Sequence, residues 1–530
     1  MSTASVANQL EASRPAMNPW VIAPVVAMAA FMEVLDTTIA NVALPHIAGS
    51  LASTIDQSTW VLTSYLVANA IVLPLNGFFS AAFGRKRYFM ACMALFTISS
   101  LLCGLAPNFG VLIVCRILQG LGGGGLQPGA QAILRDIFPP EKIGAAMATY
   151  GIVVVVAPVL GPLLGGFITD NFTWRWCFLI NVPIGIVTLF FLSLLLQDNP
   201  GHRRIKLSET KIDYLGLGLL AVGLASLQIM LDRGEDADWF ASPLIRTLAV
   251  LAVVGLSAAL WWEWRHKHPI VNFRMLKDVK NFGFATVGMF MFGSILYGST
   301  TLLPLLAQRM FGYDARQAGM VLAPGGIVVF CLMPLVGFLI PRVATRWLIS
   351  FGVMWNVIAL YMMSRLSLHA DFNSLALCRV VQGLGLAFLF VPFNTAAFAF
   401  VPKQKLADAS GIINLARNIG GSVGISLSVS FVKQVSQAHQ NYLVGTVTNL
   451  NAAYRSNLHA LTGAFMHGGM ALTAATRAAQ AQIYNMVSRE AHMLAYVDAF
   501  RVGAIIFLLV LPIAAVLKTP SFKSVPAVVE

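Results

Sequence analysis

The chain is poor in charge. Charged residues make up 11% of its 530 positions, against about 25% in an ordinary soluble domain. Hydrophobic residues make up 57%, and so little charge cannot keep that much apolar surface in water. A soluble enzyme and a disordered chain are excluded. Acids are scarcer than bases, 22 against 35, which leaves a net charge of +13. The bases fall mostly between apolar runs, a pattern that reflects membrane topology rather than a nucleic-acid surface. Cysteine is scarce as well. Cys92, Cys103, Cys115, Cys177, Cys331 and Cys378 all lie inside apolar segments, without C-x-x-C spacing. That excludes a disulfide scaffold and leaves small core residues.

Other absences narrow the chemistry. There is no Walker A motif, so ATP is not the energy source. Gly120-x-Gly122-x-x-Gly125 fits the dinucleotide fingerprint by letter, but it sits inside an apolar run instead of between a strand and a helix. His266 and His268 flank Lys267 with no carboxylate or cysteine cluster, so no metal site is expected. No Ser/His/Asp arrangement suggests hydrolysis. A non-enzyme without a cofactor is the expectation.

Long apolar runs are abundant. A spanning helix needs about 20 mostly apolar residues. Fourteen runs qualify: 20–44, 60–80, 88–106, 109–133, 143–168, 177–197, 212–231, 243–263, 281–307, 317–340, 347–364, 372–400, 407–432 and 499–517. Residues 1–18 are polar, and the run from Trp20 contains acids, so it reads as an uncleaved first helix. The fold class is an all-α polytopic membrane protein with both termini on one side. The positive-inside rule selects that side. With the termini in the cytoplasm, the inner tails and loops hold twenty-one bases, including the clusters Arg85 to Arg87, Arg203 to Lys211 and Arg265 to Lys280. The short outer loops hold five: Arg175, Arg233, Arg309, Arg316 and Arg365. One outer connection is long. Residues 434–497 are rich in Gln, Asn, Ala, His and Ser, and Ala474 to Ala495 could form an amphipathic helix. Such length suggests a docking surface for a partner.

An internal repeat sets the architecture. Arg116-x-x-Gln119-Gly120-Leu121-Gly122 recurs as Arg379-x-x-Gln382-Gly383-Leu384-Gly385, and the same offset of 263 maps Pro139 onto Pro402 and Gly161 onto Gly424. Runs 1–6 and 9–14 are therefore two six-helix halves, with runs 7 and 8 inserted. The expected organisation is a tail over 1–19, a first half over 20–197, a linker with two helices over 198–280, a second half over 281–517 and a tail over 518–530. Parallel six-helix repeats around a midplane site are a transporter architecture.

Candidate site residues follow from cost. An acid in a spanning helix is expensive and functional by default. Glu33 and Asp36 are the only carboxylates deep in any run, three residues apart on one helix face. Either could bind and release protons. Asp36 lies eight residues before Leu44, and Arg116 seven after Phe109. At the helical rise both sit about 10–12 Å below the outer boundary, so an ion pair is geometrically possible. Arg379 and Arg417 add two intramembrane cations. Three arginines against two acids favour neutral or anionic lipophilic cargo, and Asn41, Gln119, Gln382 and Asn414 are polar candidates to line the same cavity. The fifth run carries Ala157-Pro158-x-x-Gly161-Pro162-x-x-Gly165-Gly166. Its small residues permit close helix approach and its prolines bend the helix, as a gating element requires. The turn after the second run, Gly77 to Gly84 followed by Arg85 and Lys86, is the other gating candidate.

Together these motifs resemble the major facilitator superfamily, and within it the 14-helix drug:proton antiporters of the EmrB/QacA type. The likeness rests on Leu35 to Pro45, Arg116 to Gly122, Pro158 to Gly166, and Trp174-Arg175-Trp176-x-Phe178-x-x-Asn181-Val182-Pro183-Ile184-Gly185. Leu227 to Gly234, with Trp239-Phe240, and the long outer segment are similar to the EmrB branch. The resemblance implies a proton-coupled multidrug exporter working by alternating access, with coupling at Asp36 and Arg116. It further implies a bacterial inner-membrane pump that meets a periplasmic adaptor of EmrA type and an outer-membrane channel. The acid usual in the loop 2–3 motif of the superfamily is Ala81 here. A single-substrate facilitator or symporter, or a non-transporting membrane sensor or scaffold, is the alternative.

Overall fold

The computed structural model describes residues 18–139, 142–196, 213–266, 269–445 and 447–518. The expected tails up to residue 17 and from 519, the linker stretch 197–212 and the Lys267–His268 pair lie outside the described residues. Every regular element among the described residues is helical. In chain order these are α1 (Pro19–Ser50), α2 (Trp60–Phe83), α3 (Arg85–Leu105), α4 (Phe109–Ile137), α5 (Ile143–Asn171), α6 (Trp176–Leu195), α7 (Tyr214–Arg233), α8 (Pro243–Arg265) and α9 (Phe282–Phe311). Then come α10 (Ala315–Leu339), α11 (Thr345–Met363), α12 (Phe372–Phe398), α13 (Leu406–Val444), α14 (Ala452–His467) and α15 (Leu472–Val516).

The helix starts are written in polar caps. Asn18, Asn108, Asp213, Asp314 and Asp371 each accept a hydrogen bond from the first turn of α1, α4, α7, α10 and α12. Each supplies a partner for an otherwise unpaired N–H. Gly84 makes the turn between α2 and α3 at φ 86°, a conformation open to glycine and costly for other residues. Among the described residues, thirteen helices are long and apolar enough to cross a membrane. The fourteenth span is α13. It is too polar to qualify by composition, but its 39 residues rise about 58 Å. Ser410, Ser426, Ser430, Asn414 and Arg417 are buried against other helices, so lipid does not have to solvate them. The last helix is longer than expected, starting at Leu472, well before residue 499. Residues 434–497 thus form a helical hairpin. It consists of the continuation of α13, then α14, then the first part of α15, with α14 packed on α15.

The two halves pack alike. α1 pairs with α5 and α9 with α13; α2 with α4 and α10 with α12. The glycines of the fingerprint-like stretch explain the α4 packing. A side chain at Gly120 would strike the Tyr65 carbonyl of α2, and one at Gly122 would strike the Cys92 to Phe96 backbone of α3. Across the halves, α5 runs against α10 and α2 against α13. Inserted α7 and α8 cross at Gly223 and Gly255, and α7 packs on both α2 and α13.

One end of the bundle carries Arg85, Lys86, Arg135 and Lys405; the other carries the hairpin. At the basic end a single apolar cluster joins both halves, including Leu134, Tyr150, Met333, Phe390 and Ala397. Arg135 Nη2 donates to the Asn394 carbonyl at 3.1 Å, and Asn414 Nδ2 to Gln131 Oε1 at 3.0 Å. Toward the hairpin end the buried residues separate into one cluster around Ile39, Val61 and Phe178 and another around Leu303, Leu322 and Val432. The halves meet at the basic end and part at the hairpin end, apart from the α5–α10 seam.

Candidate coupling site inside the bundle

Asp36 is 1% exposed and Arg116 is fully buried. Arg116 Nη1 donates to Asp36 Oδ2 at 2.5 Å, so the pair that equal depth allowed is formed. The other carboxylate oxygen accepts from Gln119 Nε2 at 2.9 Å and from Asn181 Nδ2 at 3.0 Å. Both amides also donate to Ser100 Oγ at 3.1 Å, and Ser100 donates to the Phe178 carbonyl. Arg116 Nε donates to the Val61 carbonyl at 2.9 Å, and its guanidinium lies over the Tyr65 ring. An ionised carboxylate in a low-dielectric interior needs this many donors and a cation. The carboxylate of α1 thus takes its donors from α4 and α6, while α2 holds Arg116 through Val61 and Tyr65.

Glu33, 4% exposed, has a separate set of partners. Asn69 Nδ2 donates to Oε1 at 2.9 Å, Tyr65 Oη donates to the same oxygen at 3.5 Å, and Gln127 Nε2 donates to Oε2. Gln127 Oε1 in turn accepts from Arg417 Nη2 and from Tyr150 Oη. Glu33 thus faces the basic half of α4, while Asp36 faces the first half of α4 and α6.

The second half repeats the frame without the acid. Arg379 donates to Gln382 Oε1, and Gln382 Nε2 donates to Ser299 Oγ at 2.8 Å. The offset of 263 places Ser299 where the first half has Asp36. Arg379 and Arg417 accordingly have no carboxylate as a direct partner among the described residues.

Of the expected cavity residues, Asn41 is exposed on the hairpin side of α1. Gln119, Arg379, Gln382, Asn414 and Arg417 are buried, so they do not line an open cavity in this conformation. The expected gating residues lie at helix crossings. Gly161 packs against Thr38 and Gly165 against Ile39 and Val42 of α1, whereas Gly166 meets only the Arg316 backbone at the start of α10, at 4.0 Å. Pro162 meets Gly319, and Val159 beside Pro158 meets Gly326, both on α10. Gly77 packs against Asp408 of α13, Arg85 pairs with Asp136, and Lys86 Nζ donates to the Ser193 carbonyl. The expected turn from Gly77 is helical as far as Phe83, and an acid from the other half stands beside this last part of α2, which has Ala81. Tyr65, Asn69, Ser100, Gln127, Asn181 and Ser299 were not among the candidates. Asn181 was visible in the motif entering α6, and Ser299 in the repeat offset. The others are neutral polar residues in apolar runs and carry no pattern of their own.

The sequence model of the Major Facilitator Superfamily matches residues 26–425 and 327–456. The chain belongs to the major facilitator superfamily. It is a multi-pass membrane transporter of that superfamily rather than an enzyme. The chain is 36% identical to the fatty acid resistance protein FarB of Neisseria gonorrhoeae, over 93% of this chain and 95% of that one. It is 35% identical to the multidrug export protein EmrB of Escherichia coli strain K12, over 93% and 94%. The crystal structure of the human organic anion transporter MFSD10 superposes with a TM-score of 0.59 over 94% of this chain and all of that one, at 13% identity. That likeness concerns the fold.

Proposed function

We propose that the chain is a proton-coupled exporter of lipophilic small molecules in a bacterial inner membrane, with both termini in the cytoplasm. The observation that carries the reading is the buried Asp36–Arg116 pair with its amide donors. Names of relatives, multidrug export and fatty acid resistance, support a lipophilic cargo. Three intramembrane arginines against two acids favour neutral or weakly acidic members of that class.

The basic end is then cytoplasmic, and the separated clusters correspond to an outward-open state. A proton arriving from the outside neutralises Asp36. Arg116 loses its anionic partner but keeps Val61 and Gln119 as acceptors, so the first half can repack. The halves rock about the α5–α10 and α2–α13 seams, with Pro158, Gly161, Pro162, Gly165 and Gly166 at one and Gly77, Gly84, Arg85 and Lys86 at the other. The proton leaves inward, and cargo then takes the central cavity for the outward half-cycle. The hairpin displays Tyr442, Leu450, Met466 and Met486 in exposed positions. It would meet a periplasmic adaptor of EmrA type, which joins the pump to an outer-membrane channel. No cofactor is needed beyond the proton gradient.

Everted vesicles containing the protein test the reading. After energisation, a lipophilic weak acid and a neutral lipophile are added separately. Cargo-dependent dissipation of the pH gradient supports antiport. Cargo movement without proton movement contradicts it.

A further inference from the structure

Gln127 hydrogen-bonds to both Glu33 in the first half and Arg417 in the second. Its amide is oriented: the N–H side faces the carboxylate, and the carbonyl accepts from Arg417 and Tyr150. Every polar partner of Glu33 donates to it, the arrangement an ionised carboxylate requires. Arg417 is fully buried and lies near the Phe390 ring, yet its Nε and Nη1 have no hydrogen-bond partner. Each bidentate fork of a guanidinium includes Nη2, so Nε and Nη1 can seat a carboxylate fully once Nη2 is released from Gln127.

We infer that Arg417 is the subsite for the carboxylate of acidic lipophilic cargo, and that Gln127 links its availability to the protonation of Glu33. This inference deepens the exporter reading and rests on it. A protonated Glu33 has an O–H to donate, and a turned Gln127 amide offers its carbonyl as the acceptor. That rotation sets the amide N–H groups against Arg417 and removes the Gln127 acceptor from Nη2, which leaves Nη2 only the longer contact to Asn418 Oδ1 at 3.3 Å. Loss of the Glu33 charge also removes the nearest anion that would repel a cargo carboxylate. Proton at Glu33 and anion at Arg417 therefore stabilise each other. The Asp36–Arg116 pair remains the driving site; the Glu33–Gln127–Arg417 relay decides which cargo charge the cavity accepts.

The test compares pyrenebutyrate with the neutral pyrenebutyramide, by fluorescence binding to the purified full chain and by transport in proteoliposomes. The acid is ionised throughout the range of about pH 6 to about pH 8. Wild type should bind the acid more tightly at the lower pH and bind the amide equally at both. Arg417→Gln should weaken the acid about tenfold, the value of one charged hydrogen bond, and leave the amide unchanged. Arg417→Lys should restore part of the preference, because it restores the charge. Glu33→Gln should bind the acid tightly at both pH values, and Gln127→Met should lose the pH dependence while still binding. Unchanged amide binding shows that each variant is folded. If Arg417→Gln binds acid and amide as wild type does, the inference is wrong and the exporter reading stands. If wild type transports neither probe, nor any other lipophile, the exporter reading itself fails.

Discussion

Asp36 has three donors where a solvent-exposed carboxylate would have water. Its ionised form is held by Arg116, Gln119 and Asn181 together, and this shared support argues for a residue whose loss of charge is felt by several helices at once. Arg116 shows the same economy from the other side. Its Nε and Nη1 reach Val61, Asp36 and Gln119 in fixed directions, which a single ammonium cannot copy. Arg116→Lys should therefore keep the charge and lose the function. We expect transport to fall at least about tenfold with normal membrane insertion, measured as export rate per inserted protein. Wild-type rates in that variant would mean that charge alone matters. A subtler expectation concerns Asn181. Asn181→Leu removes one acceptor-facing donor and leaves Ser100 and Asp36 short of a partner. It should shift the pH profile of transport more than it lowers the maximal rate.

At the scale of the element, α5 is the informative case. It has α1 on one side and α10 on the other, and glycines serve both crossings: Gly161 faces Thr38, and Gly319 faces Pro162. Gly161→Leu places a branched side chain where the Thr38 side chain already sits. Overpacking of this kind costs about 1–3 kcal/mol. The strain should block rocking at that seam before it unfolds the bundle. Transport should be lost while the thermal unfolding midpoint in detergent drops by only a few degrees; full activity would show that α1 and α5 do not move as a packed pair. The sequence announced this helix through its prolines and glycines, because small residues at four-residue spacing have few uses other than close approach. It did not announce the length of α13 and α15. Their outer turns are rich in alanine, glutamine and serine, so hydrophobic runs ended near residues 432 and 499 although the helices continue. Glu33 and Asp36 were legible for the opposite reason: a charge in an apolar run stands out. Gln127, Asn69 and Ser100 were not, since an amide or hydroxyl in such a run is ordinary and only the fold shows which carboxylate it faces.

The whole molecule joins its halves at the basic end and parts them at the hairpin end. The repeat at an offset of 263 made the two halves readable from the sequence; which end was closed could come only from packing. The closure makes a prediction about motion. Gln131 and Asn414, from opposite halves, are in hydrogen-bond contact. Gln131→Cys with Asn414→Cys should crosslink there and stop transport, and reduction should restore it. Transport that continues through the crosslink would mean that this end does not open in the cycle. The measurement that bears most directly on the account is cargo-driven proton movement in liposomes holding the purified chain, with Asp36→Asn alongside. A cargo gradient imposed on wild type should drive protons the opposite way, and the Asp36→Asn protein should exchange cargo across the membrane without moving protons. Equal proton movement by the two proteins would contradict the central claim that this carboxylate carries the coupling.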